Sequence, residues 1–131
     1  MARQSERIGR SGEYLVASVI SLFSDTVTVM PHGSKADILF EIDGNVFKCQ
    51  VKTQSQIELH RNNWRFDLRR GSHSKNRKYN KGDIDVYALV ALEPQKIFFI
   101  KETTKSQITV DDELLRATNS HDNFKNLIKE L

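Results

Sequence analysis

The 131 residues predict a single α/β domain with a mixed central β-sheet flanked by helices. Three observations carry that expectation. Apolar residues recur at three- and four-residue steps near both ends of the chain, the signature of amphipathic helices. Between them lie short runs rich in β-branched and aromatic residues, separated by turn signals such as Asp43-Gly44 and Glu93-Pro94-Gln95. One run, Ile84–Leu92, is apolar almost throughout, as a strand covered on both faces must be. The domain spans 1–131, with a core at about 6–101 and a helical tail at 111–131.

The elements follow in order. Ile8, Gly12, Leu15, Val16, Val19, Ile20 and Phe23 form one stripe, which places a helix at about 6–23 with Ser5 as its N-cap. Thr26–Met30 reads as a short strand and Pro31–Lys35 as a loop. Ala36–Ile42 and Val46–Thr53 read as two strands of a hairpin, because Asp43-Gly44 suits the positive φ of a type I′ turn. A further strand is expected at Trp64–Leu68, where Trp64, Phe66 and Leu68 share a face. Arg69–Gly82 is polar and basic and reads as an exposed loop. Ile84–Leu92 is the central strand, with Lys96–Lys101 as its partner. From Asp111 the tail is helical, with Phe124, Leu127, Ile128 and Leu131 on one face behind a cap at Ser120.

Composition narrows the class. Apolar residues make up 38% and charged residues 28%, which argues against disorder. Two prolines and six glycines exclude collagen-like and low-complexity chains. The single cysteine, Cys49, excludes a disulfide framework and a Cys-rich zinc site, and a reducing intracellular setting is expected. No apolar run is long enough for a membrane span, and no signal-peptide core follows Met1. The net charge of +3 is mild, but its placement is not. From His60 to Gly82 there are eight Lys/Arg against the single acid Asp67, the footprint of a polyanionic partner.

The hairpin fixes a constellation. With Asp43 and Gly44 as its loop, Ile42 faces Asn45 and Asp37 faces Gln50. Lys52 leaves the same face as Gln50 and is the diagonal neighbour of Asp37. Cys49 and Val51 point the other way, into the core. A carboxylate, an amide and an ammonium thus converge, an arrangement suited to holding Mg²⁺ and cleaving a phosphodiester. Glu13, beside the apolar stripe of the first helix, is placed to lean over the sheet edge as another ligand. Asp83 and Asp85 read as structural residues at a strand entry. Trp64 and Phe66 alternate with Arg65 and read as core rather than as a stacking platform. The four histidines lack metal-ligand spacing and read as loop residues, with His32 and His73 candidates to lie near phosphates.

Glu13, Asp37 and Gln50-Val51-Lys52 resemble the signature of the PD-(D/E)XK nuclease superfamily: a helical Glu, an Asp opening a hairpin, and (D/E)-x-K on the next strand. Gln50 stands where an acid is usual, and a Gln-x-Lys variant is known in the homing endonucleases encoded in group I introns. The segment Tyr79-Asn80-Lys81-Gly82-Asp83-Ile84-Asp85-Val86-Tyr87-Ala88 is similar to that branch as well, and the resemblance covers about residues 9–101. It implies a restriction-endonuclease-like core and a Mg²⁺- (or Mn²⁺-) dependent DNA endonuclease. Glu13, Asp37, Gln50 and the Val51 carbonyl would hold metal, and Lys52 would orient the attacking water. Ser34, Lys35, Arg61, Arg69, Arg70, Lys75, Arg77, Lys78 and Lys81 would contact DNA. One such site cuts one strand, so a homodimer or homotetramer is expected. The run His32-Gly33-Ser34-Lys35 before Asp37 also resembles archaeal-type Holliday junction resolvases, which normally carry Glu-x-Lys. A DNA-binding module that has lost catalysis, with Gln50 marking the loss, stands as the non-enzymatic alternative.

Overall fold

The computed structural model describes residues 2–69 and 81–131. Helix α1 spans Ala2–Ile20 and is followed by strands β1 (Val27–Val29), β2 (Ile38–Ile42), β3 (Asn45–Gln54) and β4 (Asn63–Asp67). Strands β5 (Val86–Ala91), β6 (Lys96–Lys101) and β7 (Gln107–Asp111) come next, then helices α2 (Asp112–Ala117) and α3 (Ser120–Ile128). Among the described residues the strands form two sheets. The larger has the order β1-β2-β3-β5-β6, and β4 pairs with β7 in the smaller. In the larger sheet β3 and β5 are parallel and the other neighbours antiparallel, so the sheet is mixed, as expected.

Packing explains the pattern of the sequence. On one face Val16, Val19 and Ile20 of α1 and Phe124 and Leu127 of α3 close over Ile38, Phe40, Cys49, Val51 and Phe99. Phe124 packs its ring against Phe23, Phe40 and Phe99 at centroid separations of 5.5, 5.6 and 4.7 Å, which docks α3 by aromatic contact. On the other face Trp64, Phe66, Val110 and Leu115 cover Tyr87, Leu89 and Ala91. Strand β5 lies between both layers and is buried at all six positions, which is why its sequence is apolar without alternation.

Gly12 lets α1 settle against β3. A Cβ there would meet Thr53 Oγ1 at 1.9 Å, so only glycine permits this approach. Asp43 and Gly44 both adopt positive φ (51° and 84°), and Ile42 faces Asn45, the register expected of the type I′ hairpin.

Several boundaries differ from the sequence expectations. Helix α1 begins at Ala2, so Ser5 is an interior residue and not its cap. Ala2, Arg3 and Gln4 are all good helix formers, and nothing at Ser5 interrupts them. The helix ends at Ile20 rather than at Phe23, and two tighter bonds close it: Leu22 N–H to Val19 (3.1 Å) and Phe23 N–H to Ile20 (2.8 Å). Asn119, not Ser120, caps α3 by accepting from Asp122 N–H. Ser120 is buried, and its Oγ accepts from Ile97 N–H of edge strand β6 at 2.9 Å. Asn123 continues the cover by accepting from Phe99 N–H and donating to its carbonyl. These side chains occupy groups that an edge strand would otherwise leave open. Strand β7 was not anticipated, because its short alternating run gains strand character only by pairing with β4.

Candidate active site

The hairpin places the central residues. Ile38 faces Cys49, so the register carries Asp37 opposite Gln50 at the mouth of the β2–β3 pair. Asp37 N–H donates to the Cys49 carbonyl at 2.9 Å, and Asp37 Oδ2 accepts from Val51 N–H at 2.8 Å. An extended residue sends its N–H and C=O toward the same neighbouring strand, so the Val51 carbonyl also leaves β3 on the Asp37 side. Cys49 and Val51 themselves point into the core below α1, as expected.

Asp37 stands where the two faces of the sheet meet. On the helix side Glu13, Asp37 and His32 line one cleft of about 710 Å³, bounded by the first half of α1 and the segment from Val29 to Gly33. Glu13 follows Gly12, so the close docking of the helix on β3 delivers its carboxylate there. On the other side Gln50 and Lys52 leave β3 beside Tyr87 and Leu89, their register partners on β5. Asp37 therefore joins the two sides, and among the described residues Gln50 and Lys52 do not line the cleft that holds Glu13 and Asp37.

Electrostatics reflect the crowding. Burial pushes the Glu13 carboxyl up to about 7, and the Asp37 charge adds to the rise, while His32 and Arg10 pull against it. Burial also raises Asp37, opposed by the Val51 amide, Lys52 and His32. Lys52 is held below its ordinary value by burial, with Asp37 and Asp67 favouring its charged form. Its Nζ donates to the Arg69 carbonyl at 2.9 Å, so Lys52 also ties down the chain two residues beyond β4. Tyr87 is raised to about 12 by burial and by the charges of Glu102 and Asp83, which keeps the phenol protonated beside Gln50.

Among the described residues no three His, Cys, Asp or Glu side chains gather into a metal centre. A cation here would need Glu13 and Asp37 together with neutral oxygens. One such oxygen is at hand: Gln50 Oε1 is buried and has no hydrogen-bond partner. Leaving such an acceptor unmet costs about 1–3 kcal/mol, and a hard divalent ion would meet it. The donor set, all oxygen, fits Mg²⁺ or Mn²⁺ rather than a softer metal.

The other anticipated residues divide. Asp85 is structural: its Oδ2 accepts from Lys48 N–H at 2.8 Å, and its own N–H continues the ladder to the Lys48 carbonyl. Trp64 and Phe66 are core, with the Trp64 indole N–H donating to Asp112 at 2.8 Å, so they form no open stacking platform. Of the cations expected on DNA, Lys35 pairs with Asp83 at 3.5 Å, Arg61 with Glu58 at 2.7 Å, and Arg69 with Asp67 at 2.7 Å. Such half-exposed pairs are weak and exchange readily for phosphate. Ser34 donates its amide to the Pro31 carbonyl at 3.2 Å, and Lys81 is exposed. Arg70, Lys75, Arg77 and Lys78 lie outside the described residues, as do His73 and nearly all of the expected basic loop. The sequence reading missed Arg10 and Tyr14, which line the cleft with Glu13; counted from Arg10, Glu13 and Tyr14 fall at i+3 and i+4, which was the available signal.

No family model and no curated protein sequence matches the chain. A solved structure does, described as the structure of a bacterial homing endonuclease, I-Ssp6803I. The two agree with a TM-score of 0.71 at 16% sequence identity, over 95% of this chain and 93% of that one. At this identity the likeness is one of fold, and it covers nearly the whole chain.

Proposed function

We propose that this chain is a metal-dependent DNA endonuclease of the PD-(D/E)XK type, closest in kind to a homing endonuclease. One observation carries the reading. The fold shared with a bacterial homing endonuclease coincides with a hairpin register that sets Asp37 against Gln50-Val51-Lys52, with Glu13 delivered to the same edge.

In this reading Glu13, Asp37, the Gln50 amide oxygen and the Val51 carbonyl hold Mg²⁺ or Mn²⁺. When bound there, the ion supplies Lewis-acid polarisation of the phosphoryl oxygen and eases deprotonation of water. Lys52 orients the attacking water and offsets charge as it grows on the phosphate. Burial lowers its proton affinity from the ordinary lysine value, while Asp37 and Asp67 favour the charged form. Its Nζ donates to the Arg69 carbonyl, which holds the ammonium at the sheet edge beside Asp37. Gln50 adds no charge, so the site relies on two carboxylates and binds its cation more weakly than a three-carboxylate site would. Each site cuts one strand, so a double-strand break calls for a dimer or tetramer. No helix among the described residues is long and apolar enough to cross a membrane.

The test is incubation of the purified protein with linear duplex, supercoiled plasmid and four-way junctions, in Mg²⁺ and in EDTA. Metal-dependent cutting of duplex supports the proposal. Cutting confined to junctions would move the assignment to a resolvase. Binding to DNA without cutting under any divalent ion would leave a non-catalytic module.

A further inference from the structure

The solvent face of α1 carries a row of cations that the expected basic segment did not include. Arg3, Arg7 and Arg10 are all exposed. At about 100° per residue they fall within an arc of roughly 60°, on the side of α1 opposite Gly12 and Val16. No acid shares that arc. Glu6 and Glu13 lie to one side, along the cleft. Among the described residues none of the three arginines takes part in an ion pair, and Arg10 acts on Glu13 only at longer range. Three of the described cations first expected to grip a polyanion, Lys35, Arg61 and Arg69, are each paired.

Three exposed guanidinium groups within one arc of a helix concentrate positive charge there, which an anionic partner would offset. We propose that this face of α1 is a docking surface for the phosphate backbone of duplex DNA, and that it leads the strand into the Glu13–Asp37 cleft. The inference rests on the nuclease reading and adds where the duplex lies. The row ends at the site, because Arg10 lines the same cleft as Glu13 and Asp37. From Arg3 to Arg10 the helix rises roughly 10.5 Å. That length lets the row reach more than one phosphate of a single strand. Arginine suits the task, since its planar fork takes two phosphate oxygens at once. Tyr14 continues the same arc and is exposed, offering a phenol to the sugar-phosphate edge.

The experiment is equilibrium binding of fluorescent random-sequence duplex in Ca²⁺, from 0.05 to 0.5 M salt, for the wild type, Arg3→Gln/Arg7→Gln and Arg3→Lys/Arg7→Lys. Two lost phosphate contacts should flatten the slope of log K against log salt by about 1.8. At 0.1 M salt that corresponds to about 60-fold weaker binding, with the curves converging near 1 M. The lysine variant should recover most of the slope. A glutamine variant with the wild-type slope and affinity would overturn the docking surface and leave the nuclease reading standing. A wild type that binds no duplex at all would overturn both. Equal binding of wild type and glutamine variant to duplex, with loss only on phosphatidylserine vesicles, would assign the face to a membrane instead.

Discussion

The substitution Gly12→Ala tests whether the approach of α1 to β3 sets the position of the site. An ideal Cβ at residue 12 lies 1.9 Å from Thr53 Oγ1 and 3.0 Å from both Thr53 Cβ and Cγ2. Rotating Thr53 would remove the first clash, but its branched side chain has few rotamers and the other contacts remain tight. The helix must therefore lift from the sheet. Two terms oppose each other. Alanine in a helix interior gains about 1 kcal/mol over glycine. Overpacking a tight interface costs about 1–3 kcal/mol. The net expectation is a loss of up to about 2 kcal/mol. Thr53→Ala removes Oγ1 and Cγ2 and leaves only the tight Cβ contact at 3.0 Å, and Thr53 Oγ1 has no hydrogen-bond partner to lose. The double variant Gly12→Ala/Thr53→Ala should then be more stable than Thr53→Ala alone by up to about 1 kcal/mol, the helix-propensity gain. Urea denaturation of the four proteins of this cycle measures the coupling, expected at about 1–3 kcal/mol. Cleavage should fall in Gly12→Ala, because Glu13 is carried away with the helix, and return in the double variant. If Gly12→Ala alone stabilises the protein by its full helix-propensity gain, or if the two substitutions are additive, the reasoning is wrong.

Three further outcomes are expected. Lys52→Ala should abolish cleavage while duplex binding stays near wild type; undiminished cutting in a plasmid assay would remove Lys52 from the mechanism. Glu13 is raised from 4.5 to about 7, so its proton must leave before the carboxylate can take a cation. Apparent Mn²⁺ affinity by calorimetry should climb as pH rises toward 7 and level off above, and Glu13→Gln should erase that inflection. For the metal-free protein the sign is opposite, because the folded state holds the Glu13 proton more tightly than the unfolded one, so this group's contribution to stability falls as pH rises from 4.5 to about 7. Ser120→Ala should leave the buried Ile97 amide without its acceptor and cost about 1–3 kcal/mol in denaturant unfolding; a neutral result would mean that solvent reaches the edge of β6.

The amino-acid sequence by itself determined much of this protein. The Asp43-Gly44 turn is local chemistry, since few residue pairs tolerate two positive φ values. It therefore carried the β2–β3 register, and with it the placement of Asp37, Gln50 and Lys52. The unbroken apolar run of β5 likewise declared a strand covered on both faces. Only the tertiary structure decided what depends on distant segments. Strand β7 exists because β4 offers it a partner, and Ser120 serves β6 rather than its own helix because the two happen to adjoin. The pairing of Lys35, Arg61 and Arg69 with nearby acids follows from packing that no spacing encodes. So does the position of Asp37 between two faces, with Glu13 and His32 on one side and Lys52 on the other. The arginine row of α1 was present in the sequence as a simple i, i+4, i+7 pattern, but a charged solvent face is ordinary until its neighbours are known. It was the cleft beside Arg10, and the lack of any acid within bonding reach among the described residues, that gave the row a direction.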